Sequence, residues 1–201
     1  MAAEPRASEA ERGGTAKLSV RSLLVLIVVA LLVLTIDQAS KYLVVTGLVE
    51  GRQVDVLGTL LRFRYVRNPG AAFSIGSGST WVFSIIAVGV LVFVVWYARR
   101  IRSVAWAVLF GLLLGGLLGN LGDRLLRPPG FGVGEVVDFV QIPLLPAIFN
   151  LADTAIVTSM VLFLVLTMLG IGMNGKRTAG RAPAATDAEI RPSHEHTPHA
   201  S

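Results

Sequence analysis

The chain has 201 residues, of which 53% are hydrophobic and only 15% charged. A soluble domain carries roughly 25% charged residues, so this balance points to lipid as the folding environment. The formal net charge is +5, but the lysines and arginines sit in short clusters beside long apolar runs, where they anchor membrane spans and form no stripe for nucleic acid. There is no cysteine, which excludes disulfides, thiolate nucleophiles and cysteine-based metal sites.

Residues 1–18 are rich in Ala, Glu, Arg and Gly without apolar periodicity, which predicts a disordered cytoplasmic lead. The run Leu23–Ile36 follows Lys17 and Arg21 and has the look of a signal-peptide core. Its apolar pattern resumes after Lys41 with Tyr42, Leu43, Val44 and Val45, however, and no small-x-small cleavage site follows the core. A retained first helix of spanning length is therefore expected. In the next segment Leu61, Phe63 and Tyr65 alternate with Arg62 and Arg64, a period-two strand signal preceded by Val54, Val56 and a Leu57-Gly58 turn. That pattern predicts a small hairpin. The stretch Asn68–Ser79, rich in Gly, Ala and Ser, is suited to a short surface helix or a flap.

A second span is expected over Trp81–Ala98, closed by Arg99, Arg100 and Arg102, and a third over Val104–Asn120. In the third, Gly111, Gly115 and Gly119 recur every four residues, a stripe that lets a neighbouring helix approach closely. A fourth span is expected over about Ala147–Gly172, with Pro146 suited to its first turn. The remainder, residues 174–201, reads as a disordered cytoplasmic tail and holds His194, His196 and His199, the chain's three histidines. Residues 19–173 form the expected membrane domain. The basic clusters put both termini and the Arg99–Arg102 turn in the cytoplasm, and the 46–80 and 122–146 connections outside.

An ionisable side chain inside a span costs at least ~2.5 kcal/mol on insertion scales, so each one calls for a reason. Asp37 and Lys41 lie four apart on one face, in the order that favours an ion pair. They serve either as mutual neutralisation near the outer boundary or as support for a site. Asn120, Asp123 and Arg124 share a face at the end of the third span. Helix-end capping is one account, with Asn120 bonding free backbone groups and Arg124 pairing an acid on a neighbouring element. Asn150 and Asp153 are three apart near the start of the fourth span, where a carboxylate also complements the helix dipole. Asp138 lies in Val136-Val137-Asp138-Phe139-Val140, an extended apolar stretch unusual for a solvated loop.

Were the protein a hydrolase, composition would remove cysteine nucleophiles, and the lack of histidine in the body removes Ser-His and H-E-x-x-H zinc chemistry. Ser40 and Lys41 are adjacent on a helix and point ~100° apart, which argues against a Ser–Lys dyad. A pair of carboxylates remains, one ionised to activate water and one protonated to donate, an arrangement needing no metal and no cofactor.

Five stretches together carry a resemblance. Asp37-Gln-Ala-Ser-Lys41, Asn68-Pro-Gly-Ala-Ala-Phe73, Gly119-Asn-Leu-Gly-Asp-Arg124, Val136-Val-Asp-Phe139 and Phe149-Asn-Leu-Ala-Asp153 resemble, in order, the five blocks of bacterial lipoprotein signal peptidase, signal peptidase II. The resemblance covers about residues 20–172. It implies an α-helical integral membrane protein with four transmembrane helices, a small extracytoplasmic β-element and a short surface helix. It implies an aspartyl endopeptidase of the bacterial cytoplasmic membrane that cuts signal peptides from prolipoproteins just before a diacylglyceryl-cysteine. Asp138 and Asp153 would then be the catalytic pair near the outer face. Asp37, Lys41, Asn68, Gly70, Asn120, Asp123, Arg124 and Asn150 would shape the site and bind substrate. Membrane lipid and the precursor are the implied partners, and a monomer suffices. Two rivals stay open on the residues alone. A proton-coupled transporter also uses intramembrane acids, although no internal repeat is visible. A non-catalytic assembly factor would account for the glycine stripe but not for the acids.

Overall fold

The computed structural model describes residues 19–70, 80–98 and 100–177. Four helices among them are long and apolar enough to cross a bilayer: α1 (Val20–Gly47), α2 (Thr80–Ala98), α3 (Val104–Leu126) and α4 (Leu151–Met168). In lipid the helix satisfies every backbone polar group within the segment, and these runs contain no proline to interrupt it. Side chains such as Leu24, Val28, Leu31 and Leu32 of α1, or Val157, Val161 and Leu164 of α4, point outward. That outward apolar surface suits contact with acyl chains. The polar groups Asp37, Lys41, Asp123 and Arg124 are buried inside.

α3 is the centre of the bundle and packs against each of the other helices, most extensively against α1. Its glycines account for the closeness. A Cβ on Gly111 would lie 2.8 Å from Val29 Cβ, and one on Gly115 would lie 2.7 Å from the Ala30 carbonyl oxygen. The stripe read from the sequence therefore seats α1. Gly116, on another side of α3, seats α4 in the same way, 2.6 Å from the Ala152 carbonyl oxygen.

One end of the bundle is closed by apolar packing around Leu26, Val94, Trp106, Phe110 and Leu166. A turn after α4 completes this end. The Arg102 and Ser103 amides both donate to the Met173 carbonyl at 3.0 and 2.9 Å, Trp106 Nε1 donates to the Ile171 carbonyl at 2.9 Å, and Ser22 Oγ donates to the Arg102 carbonyl at 2.8 Å.

The other end carries a four-stranded antiparallel sheet in the order β1 (Gln53–Leu57), β2 (Leu61–Asn68), β3 (Val136–Gln141), β4 (Ile148–Phe149). β1 and β2 are the expected hairpin, turning at Gly58 with a positive φ of 54°. β3 joins its far side, with Val66 opposite Asp138 and Asn68 opposite Val136, across a bulge between Phe63 and Val66. Side chains alternate along β3. Val137 and Phe139 pack with Val44 of α1 and Tyr65 of β2, and Phe63 meets Phe139 edge to face at 5.6 Å.

Two boundaries differ from the sequence reading. The fourth helix starts at Leu151, not near Ala147, because Ile148 and Phe149 pair with Gln141 and Val140 and leave Asn150 as the helix cap. Pro146 therefore precedes a strand instead of opening a helix. The third helix runs past Asn120 to Leu126, since Asp123 and Arg124 are buried against partners and need not leave the helix. The surface helix expected in Asn68–Ser79 falls largely on residues 71–79, outside the described residues; Asn68 itself ends β2.

Candidate active site

Asp138 enters the site from the middle of β3 and is 3% exposed. Each of its carboxylate oxygens accepts a hydrogen bond from an amide: Oδ2 from Asn68 Nδ2 at 2.8 Å and Oδ1 from Asn150 Nδ2 at 2.6 Å. Asn68 is held in turn by the Gly70 N–H on its Oδ1 at 3.0 Å. Burial pushes the Asp138 carboxyl up to about 7. The two amides act against that rise, and the neighbouring Asp153 adds to it.

Asp153 is the third residue of α4 and forms a capping box with Asn150. Asn150 Oδ1 accepts from the Asp153 N–H at 2.9 Å, and Asp153 Oδ2 accepts from the Asn150 N–H at 3.2 Å. A box of this kind satisfies two of the free donors at a helix start. Its other oxygen, Oδ1, accepts from Asn120 Nδ2 at 2.8 Å. Asp153 thus caps its helix, as a bland reading of the sequence would have it, and also faces the cluster around Asp138. Asn150 touches both acids and Asn120, whose Oδ1 accepts its remaining N–H at 3.1 Å.

Behind the two acids lies an ionic group with no solvent exposure at Asp37, Lys41 or Asp123. Lys41 Nζ is 2.8 Å from Asp37 Oδ2, 2.8 Å from Asp123 Oδ2 and 2.9 Å from Asn120 Oδ1. An ammonium has three protons, and all three are used. Asp37 Oδ1 accepts the Ala152 N–H at 2.9 Å, and Asp123 Oδ2 accepts the Val137 N–H at 3.3 Å. Arg127 Nε, one turn on from Asp123, lies 2.6 Å from Asp123 Oδ1. Two carboxylates thus meet two cations.

The expected pairing of Asp37 with Lys41 is present. Asn120 differs from the expectation that it bonds free backbone: its partners are side chains of Lys41, Asn150 and Asp153. Arg124 differs as well. Its Nη2 donates to the Gly70 carbonyl at 2.5 Å and its guanidinium lies 5.4 Å from the Phe83 ring centroid, while Nη1 is buried without a partner among the described residues.

Asp138 and Asp153 border a cavity of about 630 Å³, whereas Asp37, Lys41 and Asp123 lie behind its wall. Asn68, Gly70, Asn120, Arg124, Asp138 and Asp153 provide its polar wall. The rest is mostly apolar, from Phe83 of α2 to Ile156 and Val157 of α4, with Thr154 and Thr158 among them. A second cavity of about 370 Å³ shares Asn68, Asp138, Ala147 and Ile148 with the first, and presents Arg64 and Arg67 instead. An apolar cavity with a few convergent polar groups and an acid of perturbed pKa has the form of a site for a largely apolar ligand.

Two participants escaped the sequence reading. Gln38 Nε2 donates to the Gly119 carbonyl at 3.0 Å and lies within 3.3 Å of carboxylate oxygens of both Asp37 and Asp123. Arg127 neutralises Asp123. Both carried a signal: an amide inside an apolar run, and a cation four residues after an acid.

Comparison with known proteins bears on what this arrangement does. A family model described as signal peptidase (SPase) II, Peptidase_A8, matches residues 29–169. The chain is 66% identical over 172 residues to a lipoprotein signal peptidase of Leifsonia xyli subsp. xyli, covering 86% of this chain and 80% of that one. It is 47% identical over 155 residues to one from Streptomyces griseus, covering 77% and 79%. Among solved structures, a bacterial membrane enzyme determined by the in meso method at 2.3 Å resolution is similar with a TM-score of 0.65 and 31% identity. That match covers 71% of this chain and 87% of the other.

Proposed function

The chain belongs to the signal peptidase II family, and on that premise we propose that Asp138 and Asp153 are its catalytic pair, acting on a peptide bond held across the two cavities that meet at Asp138. The protein is a membrane aspartyl endopeptidase that removes the signal peptide from diacylglyceryl-modified prolipoproteins, cutting before the lipidated cysteine.

The observation that carries the assignment is Asn150. Its side chain donates to Asp138 and accepts from the Asp153 N–H, so one short residue ties both acids to a common point beside the cavity. Burial raises the Asp138 carboxyl to about 7, which lets it hold a proton near neutral pH. The ionised member takes a proton from water as its oxygen adds to the scissile carbonyl carbon. The protonated member gives its proton to the carbonyl oxygen. Collapse of the tetrahedral diol breaks the C–N bond as one of its hydroxyls returns a proton to the carboxylate that gave it, and the proton taken from water passes to the departing amine of the cysteine. Burial strengthens each of these interactions, because the site offers fixed donors in place of mobile water. The free Nη1 of Arg124 supplies a further donor on the cavity wall for a substrate carbonyl.

The finer reading follows from charge and polarity. Arg100, Arg102, Lys176 and Arg177 lie at the end remote from the acids, which supports a cytoplasmic setting for that end and both termini and an outer one for the sheet. The apolar cavity, open toward α2 and α4, receives the signal peptide and the diacylglyceryl group. The cavity with Arg64 and Arg67 receives the polar mature segment. Residues 19–173 carry the activity as a monomer in the cytoplasmic membrane, and the lead and tail are dispensable for it.

The deciding experiment is cleavage of a lipid-modified precursor in proteoliposomes. Asp138→Asn and Asp153→Asn should each lower kcat by at least about 10³-fold while precursor still binds, and the double variant should be little worse than either, as expected for residues acting as a unit. Substantial turnover by either single variant would falsify the pair. In the same preparation, a cysteine placed at Gly130 should react with an impermeant thiol reagent from outside the membrane, and reaction only from inside would reverse the orientation.

A further inference from the structure

The two acids reach the site on different elements, Asp138 on a strand and Asp153 on a helix, and their separation depends on holding β3 and α4 in register. The buried ionic group meets both elements at equivalent places. Asp37 Oδ1 accepts the N–H of Ala152, the residue immediately before Asp153. Asp123 Oδ2 accepts the N–H of Val137, the residue immediately before Asp138. Lys41 joins the two carboxylates at 2.8 Å each and spends its third proton on Asn120, which donates to Asp153 Oδ1.

We propose that Asp37, Lys41 and Asp123 form a bracket of positioning residues that sets the distance between the two catalytic carboxylates by gripping the backbone N–H that precedes each. None of its three side chains lines either cavity. It acts through the peptide planes of Ala152 and Val137, whose shifts carry Asp153 and Asp138 with them. Lys41 is the common link, so a displacement of either carboxylate is passed to the other. The inference rests on the reading of Asp138 and Asp153 as the catalytic pair.

A structural role alone would need only neutral charge. The bracket needs the two backbone acceptors as well, and this separates the two accounts. In Asp37→Leu/Lys41→Leu, one acid and one base leave together and Asp123 keeps Arg127, so the net charge of the buried group is unchanged. The Ala152 N–H loses its acceptor. Gly119→Ala is the complementary variant. It removes no charge, but its Cβ would lie 2.5 Å from Asp37 Oδ2 and 3.3 Å from Ala152 Cβ, so the Asp37 carboxylate must move.

Precursor cleavage by detergent-purified full-length protein would be measured per precursor-binding site, alongside thermal unfolding. A misplacement of about 1 Å in a catalytic group costs about 100-fold. The double variant should therefore lose about that much kcat, and Gly119→Ala about tenfold, with KM within about threefold of wild type in both. If either variant folds, binds precursor and keeps kcat within about threefold, the bracket is refuted. If neither accumulates as folded protein, the group serves the fold and the proposal also falls. Asp138→Asn and Asp153→Asn run in the same assay keep the two readings apart. Their retained turnover would remove the catalytic pair itself, whereas their inactivity beside active bracket variants would remove only the bracket.

Discussion

At the end of the bundle remote from the aspartates, Leu26, Val94, Trp106, Phe110 and Leu166 pack against one another, and backbone amides of Arg102 and Ser103 close on Met173. At the site end the space between α1, α3 and α4 is filled instead by Asp37, Lys41, Asn120, Asp123 and Asn150, each satisfied by several partners. The first end is held by shape, which tolerates substitution of similar volume. The second is held by pairing, where loss of one member strands the rest. Rigidity near the acids thus comes from hydrogen-bond geometry, and it is bought with fragility toward single changes.

The sharpest way to break the comparison is Lys41→Met. It leaves the Asp37 and Asp123 carboxylates facing each other with no ammonium between them and should cost about 3–5 kcal/mol, the range for breaking a buried ion pair. Unfolding of the detergent-solubilised protein measures it, and a loss under about 1 kcal/mol would mean that water reaches the group. A smaller effect is the response to pH. Folded Asp138 holds its proton up to about 7, while the unfolded chain releases it near 3.8. Stability from this group is fully present below about pH 4 and is lost as pH rises through about 7, with a slope of at most about 1.4 kcal/mol per pH unit. Asp138→Asn should flatten that slope, and a variant at the remote end should leave it unchanged. The smallest effect belongs to that remote end: Trp106→Phe removes the bond to the Ile171 carbonyl and should cost about 1 kcal/mol, with kcat unaltered. A kcat loss there would show that the two ends are mechanically coupled.

Much of this was legible in the chain itself, because local patterns carry it. Runs near the bilayer thickness mark the spans, alternation over Leu61–Tyr65 marks the hairpin, and Asp37 and Lys41 at helical spacing mark their own pair. Partners far apart in sequence were less visible. Nothing local to Val136–Gln141 says that it pairs with β2, since alternation gives a strand but not its neighbour or register. Ile148 and Phe149 read as the first turn of an apolar helix until β3 is beside them, so the start of α4 was set too early. Asn120 illustrates the same limit. An asparagine near a helix end looks like a cap, and only the arrival of α1 and α4 gives its amide three side-chain partners. The five sequence blocks hold residues that the fold brings together, but which of them touch depends on contacts between elements.

The salt bridges also bear on how the chain enters the membrane. Asp37 and Lys41 lie four apart on α1, and Asp123 of α3 lies four before Arg127, the residue that caps that helix. Each of these two rods therefore carries a counter-ion for its buried acid before the other has been synthesised. When the two rods meet, Lys41 gains Asp123 as a second partner without Asp37 having to release it. Lys41 and Asp123 thus need not enter hydrocarbon without an opposite charge beside them, so the ion pairs within the finished site also ease its assembly.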